Sequence, residues 1–232
     1  MNAFVVAVDG PAGSGKSSVS KAAARQLGFA YLDTGAAYRA VTWHVLNSGA
    51  DLASEDAIVG TLASFHYSCA TDPDAVTFHV GTTDVTEAIR GDNVTSAVST
   101  VARIPVVRAH VNSVFHHIMA TTDKPGIIVE GRDITTVVAP DAPVRVLLTA
   151  SEEARAARRA AELPTSTSAI DATSANADLT AAALKARDAA DAKVSEFMVA
   201  ADGVTTLDST HLSYDETIAA LVGLITAGKT HG

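Results

Sequence analysis

The residues best able to do chemistry lie near the start of the chain, where Gly10 to Ser17 read GPAGSGKS. They fit the pattern G-x-x-x-x-G-K-[ST] at every fixed position. Gly13 and Gly15 let the backbone turn so that successive N–H groups point at one anion. Lys16 adds a mobile positive charge, and the Ser17 hydroxyl is a ligand that Mg²⁺ accepts. The pattern predicts a binding site for the phosphates of a nucleoside triphosphate, formed by Gly10, Pro11, Ala12, Gly13, Ser14, Gly15, Lys16, Ser17 and Ser18.

This motif requires a strand before it and a helix after it. Phe4 to Val8 is a short apolar run rich in β-branched residues, which is typical of a strand buried on both faces. Ser18 to Leu27 has the alanine-rich composition of a helix, and Gly28 is placed to end it. The local context therefore agrees with the motif. A degenerate phosphate site that does not hydrolyse nucleotide stays open as an alternative.

Four further apolar runs predict the remaining strands of a central sheet. Helical segments separate most of these runs, and this alternation favours parallel pairing. We therefore expect an α/β fold built on a doubly wound, five-stranded parallel sheet. The four runs are Phe29–Leu32, Gly126–Glu130, Val144–Thr149 and Gly203–Leu207.

One region departs from the alternation of strands and helices. Residues 65–90 lack helical periodicity, and three short runs separated by turn residues predict a small antiparallel β insert. The insert lies within residues 33–125, which we expect to form a subdomain on the same single domain. Its other predicted elements are helices at 36–48, 54–64, 93–101 and 105–120.

A second region, residues 151–186, is predicted to form a movable lid. It opens with a helix that carries Arg155, Arg158 and Arg159, and residues 164–177 follow with low complexity. Like charges this close repel one another unless an anion lies between them. A solvated basic face is the alternative, but next to a phosphate motif the three arginines predict a clamp on a transferring phosphoryl group.

The composition limits the classes of function. The 232 residues carry a net charge of −9, whereas broad binding to nucleic acid requires a basic surface. Cys69 is the one cysteine in the sequence, so no intramolecular disulfide can form and a reducing cytosol is expected. No apolar run approaches about 18 residues, and no basic leader precedes the first one, so we expect neither a membrane span nor a secretion signal. A cytoplasmic monomer acting on small molecules is the resulting expectation.

Several longer stretches can now be compared with known families. They are DGPAGSGKSS at Asp9–Ser18, YLDTGAAYR at Tyr31–Arg39, the R-x-P-x-V-R pattern at Arg103–Arg108, GRDITTVVAPDAPV at Gly131–Val144, the arginine helix, and ARDAAD at Ala186–Asp191. Together they resemble the bacterial cytidylate kinases of the nucleoside monophosphate kinase group, nearly from end to end. Many proteins share the glycine motif, but the GRD stretch with the β insert is far more specific.

This resemblance implies a P-loop kinase fold that transfers the γ-phosphoryl group of ATP to CMP or dCMP with Mg²⁺. Residues 33–125 would then bind the acceptor, and residues 151–186 would close over the donor. The predicted catalytic residues are Lys16, Arg132, Arg155, Arg158, Arg159 and Arg187. The same reaction on another nucleoside monophosphate, and a non-catalytic nucleotide-binding module, are the alternatives.

The resemblance also implies the residues that hold the acceptor. Thr34 lies near it, and Arg39 and Arg132 match arginines that bind its phosphate, for which a planar guanidinium is well shaped. Ser99, Arg108 and Asp133 match residues that recognise cytosine, whose exocyclic amino group donates to a carboxylate. The positions of Arg187 and Asp191 match residues that contact the sugar and its surroundings. Ser17 is the predicted metal ligand.

One position departs from the family pattern. The family usually has an arginine three residues after the position of Asp191, where this chain has Val194 beside Lys193. An arginine that acts on the transition state contributes about 10³–10⁵ in turnover, and we predict that Lys193 replaces it only partly. Val194→Arg should therefore raise kcat in an ADP-release assay. An unchanged kcat would contradict this prediction.

Overall fold

The structure is a computed structural model that describes residues 3–162, 182, 185, 188–189, 192 and 197–230. The strands in these ranges are β1 (Phe4–Asp9), β2 (Ala30–Asp33), β3 (Tyr67–Cys69), β4 (Phe78–Val80), β5 (Thr83–Asp84), β6 (Gly126–Gly131), β7 (Val144–Thr149) and β8 (Thr205–Asp208). The helices are α1 (Lys16–Leu27), α2 (Thr34–Asn47), α3 (Glu55–Gly60), α4 (Asp92–Ala102), α5 (Pro105–Thr121), α6 (Glu152–Glu162) and α7 (Tyr214–Thr230). None of them is long and apolar enough to cross a membrane.

The large sheet has the strand order β2-β6-β1-β7-β8. Strand β2 runs parallel to β6, and β7 runs parallel to both β1 and β8. Neighbours in the sheet are mostly distant in sequence, as helical crossovers between parallel strands require. Residues 6–8 of β1 are fully buried, which agrees with a strand covered on both faces. The predicted five-stranded parallel α/β fold is confirmed.

Contacts divide the chain into two compact units. The first consists of Met1–Val5 and Ala24–Gly131. It contains the three-stranded sheet β3-β4-β5, in which both neighbouring pairs are antiparallel. Phe78 and Val80 of β4 are buried while the intervening His79 is partly exposed, which is the alternation expected of a strand with one covered face. This confirms the predicted β insert.

Helix α2 is the main helix of the first unit. The Asp33 carboxylate accepts a hydrogen bond from the Ala36 N–H at 3.0 Å and caps the helix, which begins at Thr34 rather than at the predicted residue 36. The helix ends at Asn47, and Gly49 follows in a left-handed conformation with φ 73°. Its buried face is formed mainly by small and β-branched residues, namely Ala36, Ala37, Ala40, Val41, Thr42 and Val45.

The second unit consists of Val6–Ala23 and Arg132–Gly232. It contains the remainder of β1, the start of α1, and the elements β7, α6, β8 and α7. Ser213 and Glu216 form the predicted capping box, since the Glu216 carboxylate accepts from the Ser213 N–H at 2.8 Å while the Ser213 hydroxyl accepts from the Glu216 N–H at 3.3 Å. The predicted lid loop at 164–177 lies outside the described residues.

The prediction that Gly228 ends the last helix is wrong, because α7 continues to Thr230. A Cβ added at Gly228 would lie 2.3 Å from Cγ2 of Val144, which is buried on β7. Gly228 is therefore a point of close contact between the helix and the sheet. Its lack of a side chain serves packing and does not terminate the helix.

We predict that Gly228→Ala lowers the free energy of unfolding by about 1–2 kcal/mol. The added methyl group overlaps a stiff β-branched side chain, and this cost exceeds the gain in helix propensity. Gly223→Ala on the same helix is the matched control, because a Cβ there meets nothing within 4 Å; it should raise stability by up to about 1 kcal/mol. Urea unfolding measures both. Shifts of the same sign would contradict the packing role.

Candidate active site

The glycine loop of the second unit connects β1 to α1. Gly13 and Gly15 have φ values of 75° and 86°, a left-handed region that other residues avoid. A Cβ at Gly10 would lie 2.1 Å from the carbonyl oxygen of Leu148 on β7, so the loop leaves the sheet where only glycine fits. Helix α1 begins at Lys16. The loop thus leads directly into a helix N-terminus, where unpaired N–H groups favour an anion.

Three side chains contact the backbone of the loop and of the first turn of α1. The Lys16 ammonium group lies 3.5 Å from the Pro11 carbonyl oxygen, so the lysine folds back over the loop. The Ser18 hydroxyl donates to the Gly15 carbonyl at 3.0 Å. On α7, the Tyr214 hydroxyl donates to the Ser18 carbonyl at 3.1 Å. These contacts place the lysine charge at the phosphate loop, as the motif predicts.

Two arginines of α6 are turned onto this loop. Arg155 is only 5% exposed, and its guanidinium donates to the Ala12 carbonyl at 2.9 Å and to the Asp188 carboxylate at 2.5 Å. Arg158 donates to the Ser14 carbonyl at 3.1 Å and to the Ser209 carbonyl at 2.6 Å. Both guanidinium groups therefore support the backbone of the loop. The bonds of Arg155 are made to protein groups in a buried position. The phosphoryl clamp predicted for Arg155, Arg158 and Arg159 stays a prediction.

Ser209, which follows β8, completes this support. It is fully buried, and its hydroxyl donates to the Thr149 carbonyl at 2.9 Å while it accepts from Arg158 at 3.0 Å. The segment after β8 is thus tied to the end of β7 and, through Arg158, to the phosphate loop. Ser209 was not among the predicted site residues. Its position directly after a strand was the one available signal.

Arg132 and Asp133 follow β6. The Arg132 guanidinium donates to the Gly10 carbonyl and, at 3.2 Å, to Asp188, and it lies 4.4 Å from the centre of the Phe197 ring. Asp133 is buried, and its backbone carbonyl accepts from the N–H groups of Val137 and Val138 at 2.9 and 3.1 Å. Arg132 is therefore placed at the phosphate loop. The predicted contacts of Arg132 and Asp133 with an acceptor stay predictions.

A buried carboxylate that was not among the predicted site residues shapes this turn. Asp9, at the end of β1, accepts from the N–H groups of Ile134 and Thr135 at 2.8 Å each and from the Thr135 hydroxyl at 2.6 Å. Burial raises the pKa of Asp9 above its usual value, although the hydrogen bonds from Thr135 and Ile134 oppose the shift. Asp9 thus secures the turn that follows Arg132 and Asp133.

The predicted acceptor residues of the first unit lie on α2, α4 and α5. The Thr34 hydroxyl is buried and donates to the Glu130 carbonyl at 2.8 Å. Arg39 donates to the Thr95 hydroxyl at 2.9 Å and to the Ile89 carbonyl at 3.3 Å. Ser99 is half-buried on α4, one turn after Thr95, so the two share a helix face. The structure therefore places Arg39 beside the face of α4 that carries Ser99.

Arg108, on α5, lies against an aromatic pair. Its guanidinium is 5.9 Å from the centre of the Tyr38 ring, and that ring meets Phe115 edge-on at 6.2 Å. Tyr38 precedes Arg39 on α2, so the two predicted acceptor arginines extend from neighbouring parts of one helix pair. When a guanidinium group stacks on an aromatic ring, its N–H donors lie in its own plane and can still bind another group. Three further predicted residues, the Arg159 side chain, Arg187 and Asp191, lie outside the described residues.

The site can be tested for its fit to the expected ligands. The left-handed Gly13 and Gly15 let the loop turn into a helix N-terminus that begins with Lys16, and this arrangement suits a chain of phosphates. For Mg²⁺ the available protein ligand is the Ser17 hydroxyl in the first turn of α1. Within the described ranges no three His, Cys, Asp or Glu side chains form a metal-binding group. A metal held mainly by phosphate and water oxygens fits this arrangement.

The doubly wound sheet, the glycine loop and the lysine at the start of α1 define a nucleotide-binding protein of the P-loop class. The family model for cytidylate kinase matches residues 6–227 of the chain. The chain therefore belongs to the cytidylate kinase family and is a phosphotransferase. This confirms the resemblance on which the sequence analysis relied.

Individual relatives agree with the family model. A cytidylate kinase of Streptomyces avermitilis is 43% identical over 224 residues, covering 96% of this chain and 93% of the relative. One from Streptomyces coelicolor is 44% identical with the same coverage of both chains. The cytidylate kinase of Mycobacterium avium is 52% identical over 67% of each chain. Such identity over most of the length places the whole chain in one family.

A solved structure supports the fold alone. The crystal structure of TT1252 from Thermus thermophilus superposes with a TM-score of 0.50 at 16% sequence identity, and the match covers 98% of both chains. The architecture is therefore shared across nearly the full length, while the identity is too low to transfer any residue role.

Proposed function

We propose that this chain phosphorylates CMP or dCMP by means of the residues described above, with MgATP as the donor. The reaction is that of the cytidylate kinase family, which transfers the γ-phosphoryl group of ATP to a cytidine monophosphate and releases ADP. The observation that carries the residue assignment is the glycine loop, whose left-handed Gly13 and Gly15 lead into Lys16 at a helix N-terminus. The degenerate phosphate site and the non-catalytic module are not favoured.

The second unit carries the residues proposed to bind the donor. Backbone N–H groups from Gly13 to Ser18 would bind the phosphates, and the Lys16 ammonium group would neutralise charge on the β- and γ-oxygens. The Ser17 hydroxyl would hold Mg²⁺, which, when bound, bridges phosphate oxygens and offsets their charge. Arg158, bonded to the loop at Ser14, would add positive potential at its edge. Arg132, bonded to the loop at Gly10, would face the acceptor phosphate.

The first unit carries further residues proposed to bind the acceptor. Arg39 and Arg108 are the guanidinium groups that would receive the acceptor, and each is held by protein contacts before binding. Such preorganisation reduces the side-chain entropy lost on binding. Ser99 would complete recognition of the base from α4. Thr34 is fixed by its bond to the Glu130 carbonyl, so its backbone and methyl group would border the acceptor without moving.

The chemistry needs no covalent intermediate on the protein. A phosphate oxygen of CMP attacks the γ-phosphorus in line, a new O–P bond forms, and the bond to the β-phosphate oxygen breaks to release ADP. A phosphate monoester has a second pKa of about 6, so the attacking oxygen is already deprotonated at neutral pH and no general base is required. The protein contributes placement and charge neutralisation. Exclusion of water would prevent hydrolysis of ATP.

A panel of acceptors tests the proposal. Purified protein with MgATP should form ADP rapidly with CMP and dCMP and at least about tenfold more slowly with UMP or AMP, because the base-binding groups would be left unpaired. EDTA should stop turnover and added Mg²⁺ should restore it. Equal rates with UMP would contradict selection of cytosine. Binding of ATP without ADP formation on any acceptor would identify a non-catalytic module instead.

We further propose that the protein works as a cytoplasmic monomer without nucleic acid. The single cysteine and the net charge of −9 support this proposal. Light scattering coupled to size-exclusion chromatography should give the mass of one chain, 23.7 kDa. A mass of twice that value would contradict the monomer.

A further inference from the structure

Asp188 is an acidic residue within a cluster of basic ones, and no role was predicted for it. Its side chain is 7% exposed, and within the described part of the chain three residues donate hydrogen bonds to it. The Ala12 N–H donates to Oδ1 at 2.9 Å, Arg132 donates to Oδ1 at 3.2 Å, and Arg155 donates to Oδ2 at 2.5 Å. A buried carboxylate with this many donors is held in one orientation.

The first contact of Asp188 fixes the phosphate loop. Ala12 is held at its N–H by Asp188 and at its carbonyl by Arg155, and these two side chains are bonded to each other. Arg155 also lies close to the next residue, since a Cβ at Gly13 would be 3.2 Å from the Arg155 Cβ. The first half of the loop is therefore held at both backbone polar groups of Ala12. The N–H groups that follow it keep their direction as a result.

The second contact of Asp188 orients Arg132. This guanidinium is bonded to the Gly10 carbonyl and to Asp188, and one face lies over the Phe197 ring. A long arginine side chain left in solvent would lose rotamer freedom on binding an anion. Here Asp188 and Phe197 have already restricted it. The same Oδ1 atom therefore serves the loop backbone and the arginine that would hold the acceptor phosphate.

We infer that Asp188 is a positioning residue for phosphoryl transfer, which couples the shape of the donor loop to the orientation of Arg132. The inference rests on the proposed function for its kinetic consequences, whereas the geometry of the contacts stands by itself. Four cationic side chains, Lys16, Arg132, Arg155 and Arg158, carry donor atoms bonded to groups of the loop or to Asp188. The Asp188 carboxylate offsets part of this charge and fixes two of the four in place.

The test is Asp188→Asn in the protein of 232 residues, with Asp141→Asn at an exposed position as the matched control. Asparagine keeps an acceptor for the Ala12 N–H but loses the charge that holds the arginines. We expect kcat to fall about 10–100-fold, the loss that follows from one charged hydrogen bond, and KM for CMP to rise. The control should change neither by more than twofold. Full kcat and KM in a folded Asp188→Asn protein would overturn the inference.

A double-mutant cycle separates positioning from a general structural effect. If Asp188 acts on the acceptor through Arg132, Asp188→Asn should raise KM for CMP in the parent and leave it unchanged in an Arg132→Ala background, because coupled residues are non-additive. Fully additive effects would overturn this part. If Asp188→Asn does not fold, Asp188→Glu keeps the charge at a shifted position. It should be folded with lowered kcat, and parental kcat in that variant would count against the inference.

The donor half can be measured without turnover. Calorimetric titration with a non-hydrolysable ATP analogue should show at least about tenfold weaker binding by Asp188→Asn, because the lost charge releases Arg155 from its position at the Ala12 carbonyl. Unchanged affinity would contradict a role of the Asp188–Arg155 pair in holding the loop. This readout also separates the two hypotheses. A parent protein that binds the analogue but phosphorylates no cytidine monophosphate would refute the proposed function, while the effect of Asp188 on analogue binding would still decide the present inference.

Discussion

Lys16→Met should lower kcat for CMP phosphorylation by about 10²–10³-fold, the loss typical when one preorganised charge or donor at the reacting group is removed. Methionine preserves the length and the apolar stem of the side chain but removes the ammonium charge. The lysine side chain is half-buried, and its ammonium group lies 3.5 Å from the Pro11 carbonyl oxygen. The apolar stem that methionine retains keeps the packing of the buried part. We therefore expect the melting temperature to stay within a few degrees of the parent. ADP release at saturating substrates measures the loss of turnover.

Lys21→Met is the matched control, because Lys21 belongs to the same helix, α1, and loses the same charge. Lys21 lies five positions after Lys16, which turns it to another side of the helix. Its kcat should stay within about twofold of the parent, as expected for a surface change away from the reacting groups. Retained turnover in Lys16→Met would refute the mechanism. An equal loss of kcat in Lys21→Met would show that the effect comes from the net charge of the protein and not from the position of Lys16.

Gly10→Ala should be the most destabilising single substitution in the phosphate loop. The new Cβ would lie 2.1 Å from the backbone carbonyl oxygen of Leu148, and no side-chain rotation can relieve a clash with the main chain. Either β1 must separate from β7, where Asp9 opposes Leu147, or the loop must move. We expect the free energy of unfolding to fall by at least about 3–4 kcal/mol, because losses of this size arise from severe local clashes. Binding of the ATP analogue should be lost as well.

Gly28→Ala separates this steric effect from the general cost of replacing glycine. Gly28 has φ 65° and a Cβ there meets nothing within 4 Å. Only the left-handed conformation opposes alanine, so the expected loss is about 1–2 kcal/mol, and analogue binding should be normal. Urea unfolding compares the two variants. Similar losses in both would show that the close contact with Leu148 is not what requires glycine at the start of the loop.

Local patterns were sufficient for much of this molecule. The apolar β-branched run at 4–8, the glycine motif and the alanine-rich helix after it lie consecutively in the chain, so their order alone predicts strand, loop and helix. The β insert could also be predicted from sequence, because apolar and polar residues alternate in residues 76–80 and turn residues flank them, which is typical of a strand. Gly228 shows the limit of such reasoning. A glycine near a helix end resembles a terminator, and only the distance to Val144 reveals its packing role.

Part of the candidate site could likewise be predicted from sequence, and part could not. The types and spacing of Gly10–Ser17 were enough to predict a phosphate site, because that chemistry depends on backbone freedom and one charge within eight consecutive residues. The partners of that loop come from far along the chain, and Asp188 is 176 residues from Ala12. Nothing local distinguishes its carboxylate from an exposed one. The sequence by itself therefore determined which chemistry is possible. Only the tertiary structure decided that Arg155 supports the phosphate loop and that Asp188 connects this loop to Arg132. The reason is that burial and pairing depend on groups that meet only in three dimensions.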